Sequence, residues 1–189
     1  MLNTLSYYQS GSDVTIIYST VDDPTKDHQV SIIDPAFDLF DSKEWNISTL
    51  TSLSICCDYD HMILPDDFVS RVPKLEYLEL MHVDVKGDDS ILDILKGCTA
   101  TEIRLCGYKL STVDIRDLVT IKDEYTSFKL NLSYCDIDDV VGIPDSTKLR
   151  LFLHLHFCNI NRNATLLNDF ISIQNAYNVY NIDSCKVVE

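Results

Sequence analysis

The stretch Lys129–Ile143, KLNLSYCDIDDVVGI, sets apolar side chains at Leu130 and Leu132, a cysteine at Cys135 and an isoleucine at Ile137. The same order recurs in FLHLHFCNI (Phe152–Ile160) as Leu153, Leu155, Cys158 and Ile160. It recurs again in VYNIDSCKVV (Val179–Val188) as Tyr180, Ile182, Cys185 and Val187. Two apolar residues with one residue between them fit a strand that buries one face. The pattern becomes a template with apolar residues at places 1, 4 and 6, Cys or apolar at 9, and apolar at 11. Leu75, Leu78, Leu80, Val83 and Val85 fill it, and so do Ala100, Ile103, Leu105, Tyr108 and Leu110. Leu50, Leu53 and Ile55 open another copy, in which Asp58 spoils the ninth place; Ser127 and Arg150 are polar first members. The copies start at 50, 75, 100, 127, 150 and 177, and a phase held six times marks a repeat architecture.

The stretches LEYLELMHVDV (Leu75–Val85), TEIRLCGYKL (Thr101–Leu110), KLNLSYCDI (Lys129–Ile137) and LHLHFCNI (Leu153–Ile160) resemble the leucine-rich repeat. The likeness is to the cysteine-containing subtype known from F-box leucine-rich-repeat proteins, and it spans roughly residues 50–187. It implies an α/β fold, a leucine-rich-repeat solenoid (a horseshoe) with a parallel concave sheet and short convex helices. Residues 1–26 are expected to form an N-terminal cap or hairpin, with VTIIYSTV (Val14–Val21) a strand by its β-branched content. The repeat domain is then 27–189, about six to seven repeats, the weak first copy being Val30, Ile32, Pro35 and Phe37. Outer segments are expected at Ser90–Gly97, with Ser90 as N-cap, and within 111–124 and 163–177. About two helical turns are expected from Asp66 before Pro73, and no more than a turn in 138–148.

The ninth place follows a turn, where a small and buried side chain fits. A free cysteine is small, strongly buried and a weak thiol donor. Cys135, Cys158 and Cys185 are therefore expected to stack in one buried column that Val83 and Tyr108 fill earlier, with a structural rather than a reactive role.

Of the 189 residues, 46% are apolar and 24% charged, a globular balance. The 30 acidic and 15 basic side chains leave a net charge of −15, which repels phosphate backbones and anionic membranes. Neither a nucleic acid nor a membrane is an expected partner. The opening MLNTLSYYQSGSDV has neither the basic nor the apolar region of a signal peptide. Together with an odd count of seven cysteines, this predicts reduced thiols in an intracellular protein, cytoplasmic or nuclear, whose sequons at Asn46, Asn131 and Asn163 go unused.

Places 3, 5 and 7 of each copy point away from the core. They hold Tyr77, Glu79 and Met81; Glu102, Arg104 and Cys106; Lys129, Asn131 and Ser133; Phe152, His154 and His156; and Val179, Asn181 and Asp183. Aromatic, Met and Arg side chains gathered on one sheet face are the types enriched at interfaces. The expected partner-binding set is Tyr77, Glu79, Met81, Glu102, Arg104, Lys129, Phe152, His154 and His156, with another protein as partner. His154 and His156 have the spacing of two metal ligands on a strand, with Asp183 or Cys106 as the third candidates, but such pairs are mostly plain exposed residues. Cys56–Cys57 lacks the spacing of redox and metal motifs, and no phosphate, dinucleotide or hydrolase motif occurs. No metal, cofactor or catalytic residue is expected.

LPDDFVSRVPKLEYL (Leu64–Leu78) has the Leu-Pro-acidic look of an F-box start, yet it lies within the repeat phase. The function expected is a non-enzymatic protein-interaction module, in its family-specific form the substrate-recognition part of an F-box-like ubiquitin-ligase receptor. The alternative is a thiol- or metal-dependent hydrolase using His154, His156 and a cysteine. The last strand is expected to self-associate at its open edge or to pack on further repeats.

Overall fold

The computed structural model describes all residues except 12, 34–37, 43–44, 59–61, 86–89, 112–117, 119–126, 138–149, 162–178 and 189. The chain is α/β, with mostly parallel strand pairing and few helices. It divides into two units, Met1–Asp89 with Gly97–Ala100, and Ser90–Lys96 with Thr101–Glu189.

In the first unit β1 (Leu2–Ser10), β2 (Asp13–Thr20) and β3 (His28–Ile33) form an antiparallel meander. After it come β4 (Ser52–Cys57), β5 (Met62–Leu64), α1 (Phe68–Arg71), β6 (Tyr77–Met81) and β7 (Val83–Val85). β4 lies parallel to β1 on one side and to β6 on the other, and β5 pairs with β7. β1 and β2 pair as an antiparallel hairpin, and β2 covers Val14–Thr20 of VTIIYSTV. Its partner β1 carries no long apolar run, yet Leu5 and Tyr7 lie in register with Leu53 and Ile55 and are fully buried beside them. β1 thus takes the position of a repeat strand, ahead of the copies that the spacing finds. The weak copy counted from 27 is corrected: β3 runs antiparallel to β2, so Val30 and Ile32 belong to the meander, while Pro35 and Phe37 fall outside the described residues.

Asp58 does not sit in the ninth place of its copy. It is exposed, and its N–H donates to the Gln9 carbonyl at 3.0 Å. Met62, paired with Val83, takes that place. Helix α1 is a single turn rather than two, closed by Val72 before Pro73, and it buries Phe68.

The second unit begins with α2 (Ile91–Leu95), capped as expected by Ser90, whose hydroxyl accepts from the Leu92 N–H. Its strands are β8 (Glu102–Cys106), β9 (Lys109–Leu110), β10 (Ser127–Ser133), β11 (Asp136–Ile137), β12 (Arg150–His156), β13 (Asn159–Asn161), β14 (Val179–Asp183) and β15 (Lys186–Val188). β8, β10, β12 and β14 pair in parallel, and β9, β11, β13 and β15 form a second parallel ladder. Ile103, Leu105, Leu130, Leu132, Leu153 and Leu155, the fourth and sixth places, are all buried, as a strand of period two requires. At the polar first place Ser127 is exposed, and Phe128 beside it is buried instead. Of the helices expected in 111–124 and 163–177 and the turn in 138–148, all but Ser111 and Leu118 lie outside the described residues.

The residue after a main strand repeatedly adopts the left-handed conformation: His82 (φ 53°), Gly107 (φ 83°), Tyr134 (φ 54°), Phe157 (φ 52°) and Ser184 (φ 54°). All five occupy the eighth place. Only glycine enters that region without steric penalty, so the other four each carry about 1–2 kcal/mol of backbone strain. The left-handed residue bends the strand so that the ninth side chain turns inward.

There the cysteines find a chemical reason. The Cys135 thiol donates to the carbonyls of Ser133 (3.4 Å) and Leu105 (3.7 Å), and the Cys158 thiol to those of Leu132 (3.4 Å) and His156 (3.6 Å). Each sulfur thus meets a carbonyl of its own strand and one of the preceding strand. Both cysteines are fully buried. Cys185 is only half-buried, as is Tyr108, while Val83 is buried. Among the described residues no strand pairs with the far side of β15 to cover Cys185.

Acceptors at 3.4–3.6 Å suit a sulfur and are too far for a hydroxyl, which binds at about 2.7–2.8 Å. Cys158→Ser is therefore expected to cost on the order of 1–3 kcal/mol and Cys158→Ala less, measured by urea unfolding. The left-handed turns give a second expectation. His82→Gly should raise stability by about 1 kcal/mol and Gly107→Ala should lower it by a similar amount in the same assay.

Candidate functional site

The outward face of the second unit is built from three strands in register. Glu102, Lys129 and Phe152 form one row across β8, β10 and β12; Arg104, Asn131 and His154 form the next; Cys106, Ser133 and His156 form the third. All nine side chains are half-buried or exposed, while the residues between them are buried. The first row is organised by Glu102. Arg104 donates to its Oε1 from Nε (3.1 Å) and Nη2 (2.9 Å), and the Lys129 Nζ approaches Oε2 at 3.3 Å. Burial by itself would raise the Glu102 carboxyl, but the hydrogen bonds from Arg104 and Lys129 and their charges outweigh it and hold the group below its ordinary value. Arg104 and Lys129 remain about half-exposed, at 49% and 53%. Such pairs stabilise a fold little, so the cluster's main consequence is to fix where two cations sit on the face.

Tyr77, Glu79 and Met81 lie on β6 in the first unit, each half-buried. The Ser54 hydroxyl meets Glu79 Oε2 at 2.8 Å, and the Cys56 thiol donates to the Met81 sulfur at 3.2 Å. Burial pushes the Cys56 thiol up, with the charges of Asp58 and Glu79 adding to it. That is the opposite of an activated nucleophile.

All seven cysteines are free thiols. Between Cys135 and Cys158, Cys135 is the one that keeps its proton: its hydrogen bond with Cys158, and then its burial, push its pKa well up. The same bond lowers the pKa of Cys158, but that sulfur is closed off from solvent. Cys106 shares the outward face with His154 and His156, yet β10 stands between β8 and β12. Two strand spacings, roughly 10 Å, separate Cys106 from His156 in its row. Among the described residues no three His, Cys, Asp or Glu side chains are grouped to hold a metal ion. No described helix is long and apolar enough to cross a membrane.

One group of residues escaped the reading by places. Tyr134 and Phe157, in the eighth place, are exposed at 61% and 44% and stack with their ring centroids 5.2 Å apart and planes 15° from parallel. His156 packs its ring edge-on against Phe157 at 4.2 Å and lies 6.4 Å from Tyr134. The signal in the sequence was two aromatic residues where the copy before them has Gly107.

No protein family, no curated protein and no solved structure matches the chain.

Because the Glu102 carboxyl is held below its ordinary value of 4.5, its contribution to stability is fully present above that pH and is lost as the pH falls through the lowered value. Thermal melts of wild type and Glu102→Gln should therefore differ by a constant amount from neutral pH down to the ordinary carboxylate range, and the difference should shrink below it.

Proposed function

We propose that the chain is a non-enzymatic protein-interaction module of the leucine-rich-repeat kind, its copies stacking as a solenoid, and that a partner protein docks on the outward face of β8, β10 and β12. The observation that carries this reading is the in-register array of Glu102, Arg104, Lys129, Phe152, His154 and His156 on strands whose opposite face is buried. A sheet face held by its own core presents these side chains with little freedom left to lose on binding. An aromatic side chain and an arginine in adjacent rows supply the groups that dominate interface energetics. Tyr77, Glu79 and Met81 offer the same kind of surface on the first unit.

The narrower form of the reading is the substrate-recognition part of an F-box-like ubiquitin-ligase receptor. The cysteine at the ninth place supports it, since that residue carries the resemblance to the cysteine-containing subtype. The thiols being free fits work in a reducing compartment. The hydrolase alternative needs a cysteine within reach of a histidine base. Cys106 lies across a strand from His156, and Cys158 turns into the core.

The test is affinity capture with the chain as bait, identification of the partner by mass spectrometry, and titration of that partner as a recombinant protein. Changing Arg104, Lys129 and Phe152 together to alanine is expected to weaken binding by roughly a hundredfold or more. The circular-dichroism spectrum and Tm should stay nearly unchanged. Normal binding by this variant would move the docking surface away from the face.

A further inference from the structure

The stacked rings at the ends of β10 and β12 are not required by the fold. Gly107 and Ser184 occupy the same left-handed place in the same unit, so the turn accepts residues with little or no side chain. Tyr134 and Phe157 are bulky residues held at positive φ, and both are exposed. The turn itself belongs to the fold, since five copies share it, but the bulky exposed rings at two of them do not.

The ladder of rings is also open at its ends. Gly107 lies alongside Tyr134, its N–H bonded to the Ser133 carbonyl, and it has no side chain to cover the outer face of the tyrosine. Ser184, beside Phe157 through the pairing of β12 with β14, is small and exposed. His156 fills the remaining side of the phenylalanine edge-on. What is left is the exposed ring of Tyr134 beside a residue without a side chain. Two residues beyond Tyr134 stands Asp136, one of whose oxygens accepts from the Asn159 amide at 2.7 Å.

We infer that this platform takes the guanidinium of an arginine presented by a partner protein, stacked on the Tyr134 ring over Gly107. A flat π face attracts a cation, and a planar guanidinium stacks on it where a lysine ammonium cannot. The charge balance selects the same sign: a chain of net charge −15 draws cationic groups and turns away bases carried on phosphates. The inference rests on the protein-interaction reading above and names the chemistry of the partner.

The test titrates the full chain with hexa-arginine and hexalysine peptides at physiological ionic strength. Calorimetry gives the affinities, and NMR follows the ring resonances of Tyr134 and Phe157. The arginine peptide is expected to bind roughly fivefold or more tightly than the lysine peptide and to shift both rings. The double variant Tyr134→Gly/Phe157→Ser, which copies the residues of the neighbouring turns, should lose that preference with an equal or higher Tm. Equal affinity for the two peptides, or a preference that survives in the double variant, would reduce the effect to general attraction and overturn the inference. A clear drop in Tm would overturn it too, by making the rings part of the packing. The Arg104→Ala/Lys129→Ala/Phe152→Ala variant is expected to keep the arginine preference. If it loses the preference, the inference falls while docking on the sheet face stands.

Discussion

A parallel strand that must hand its chain to a second, shorter strand needs a sharp bend, and here one residue makes it. At His82, Gly107, Tyr134, Phe157 and Ser184 the backbone crosses into the left-handed region. Everything around the main strands depends on that step. It ends the alternation of buried and exposed places, turns the next side chain inward and starts the short strand that buries Leu110, Ile137 or Ile160. Strain of about 1–2 kcal/mol at each non-glycine turn is offset by the carbonyl contacts and burial that the bend makes available.

The cysteines belong to this same device. At the turn the Ser133 and His156 carbonyls already accept the backbone N–H groups of Gly107 and Tyr134, and the thiols add longer contacts to the same oxygens at distances too wide for a hydroxyl. Each thiol reaches one carbonyl of its own strand and one of the preceding strand. The stitch ties neighbouring strands where the ladder of backbone bonds changes direction. At Cys135 and Cys158 the sulfur is also covered from solvent.

With the inner face committed to packing, the outer face and the turns are the surfaces the proposed docking would use. On the second unit the outer face is ordered by a carboxylate that holds two cations. The turns add exposed rings stacked across adjacent strands. On both surfaces each outward side chain is one residue away from a buried one. Strand spacing sets Cys106 roughly 10 Å from His156 in its row.

Periodicity alone determined the strands that bear the face. Leu78 and Leu80, Ile103 and Leu105, Leu130 and Leu132, Leu153 and Leu155 alternate with outward residues because a strand has no other way to bury one side. The serine cap of α2 and the hairpin strand Asp13–Thr20 were legible for similarly local reasons. Tertiary structure decided the rest. β1 became a partner of β4 through parallel pairing across a long sequence separation, which no local pattern encodes. In the copy at Asp58 it is Met62 that pairs with Val83 and takes the ninth place, and β3 turned antiparallel because it pairs with β2. The stacking of Tyr134 on Phe157 was invisible as well. Residues in successive repeats meet only when the strands align side by side, and a left-handed turn is needed to aim both rings outward together.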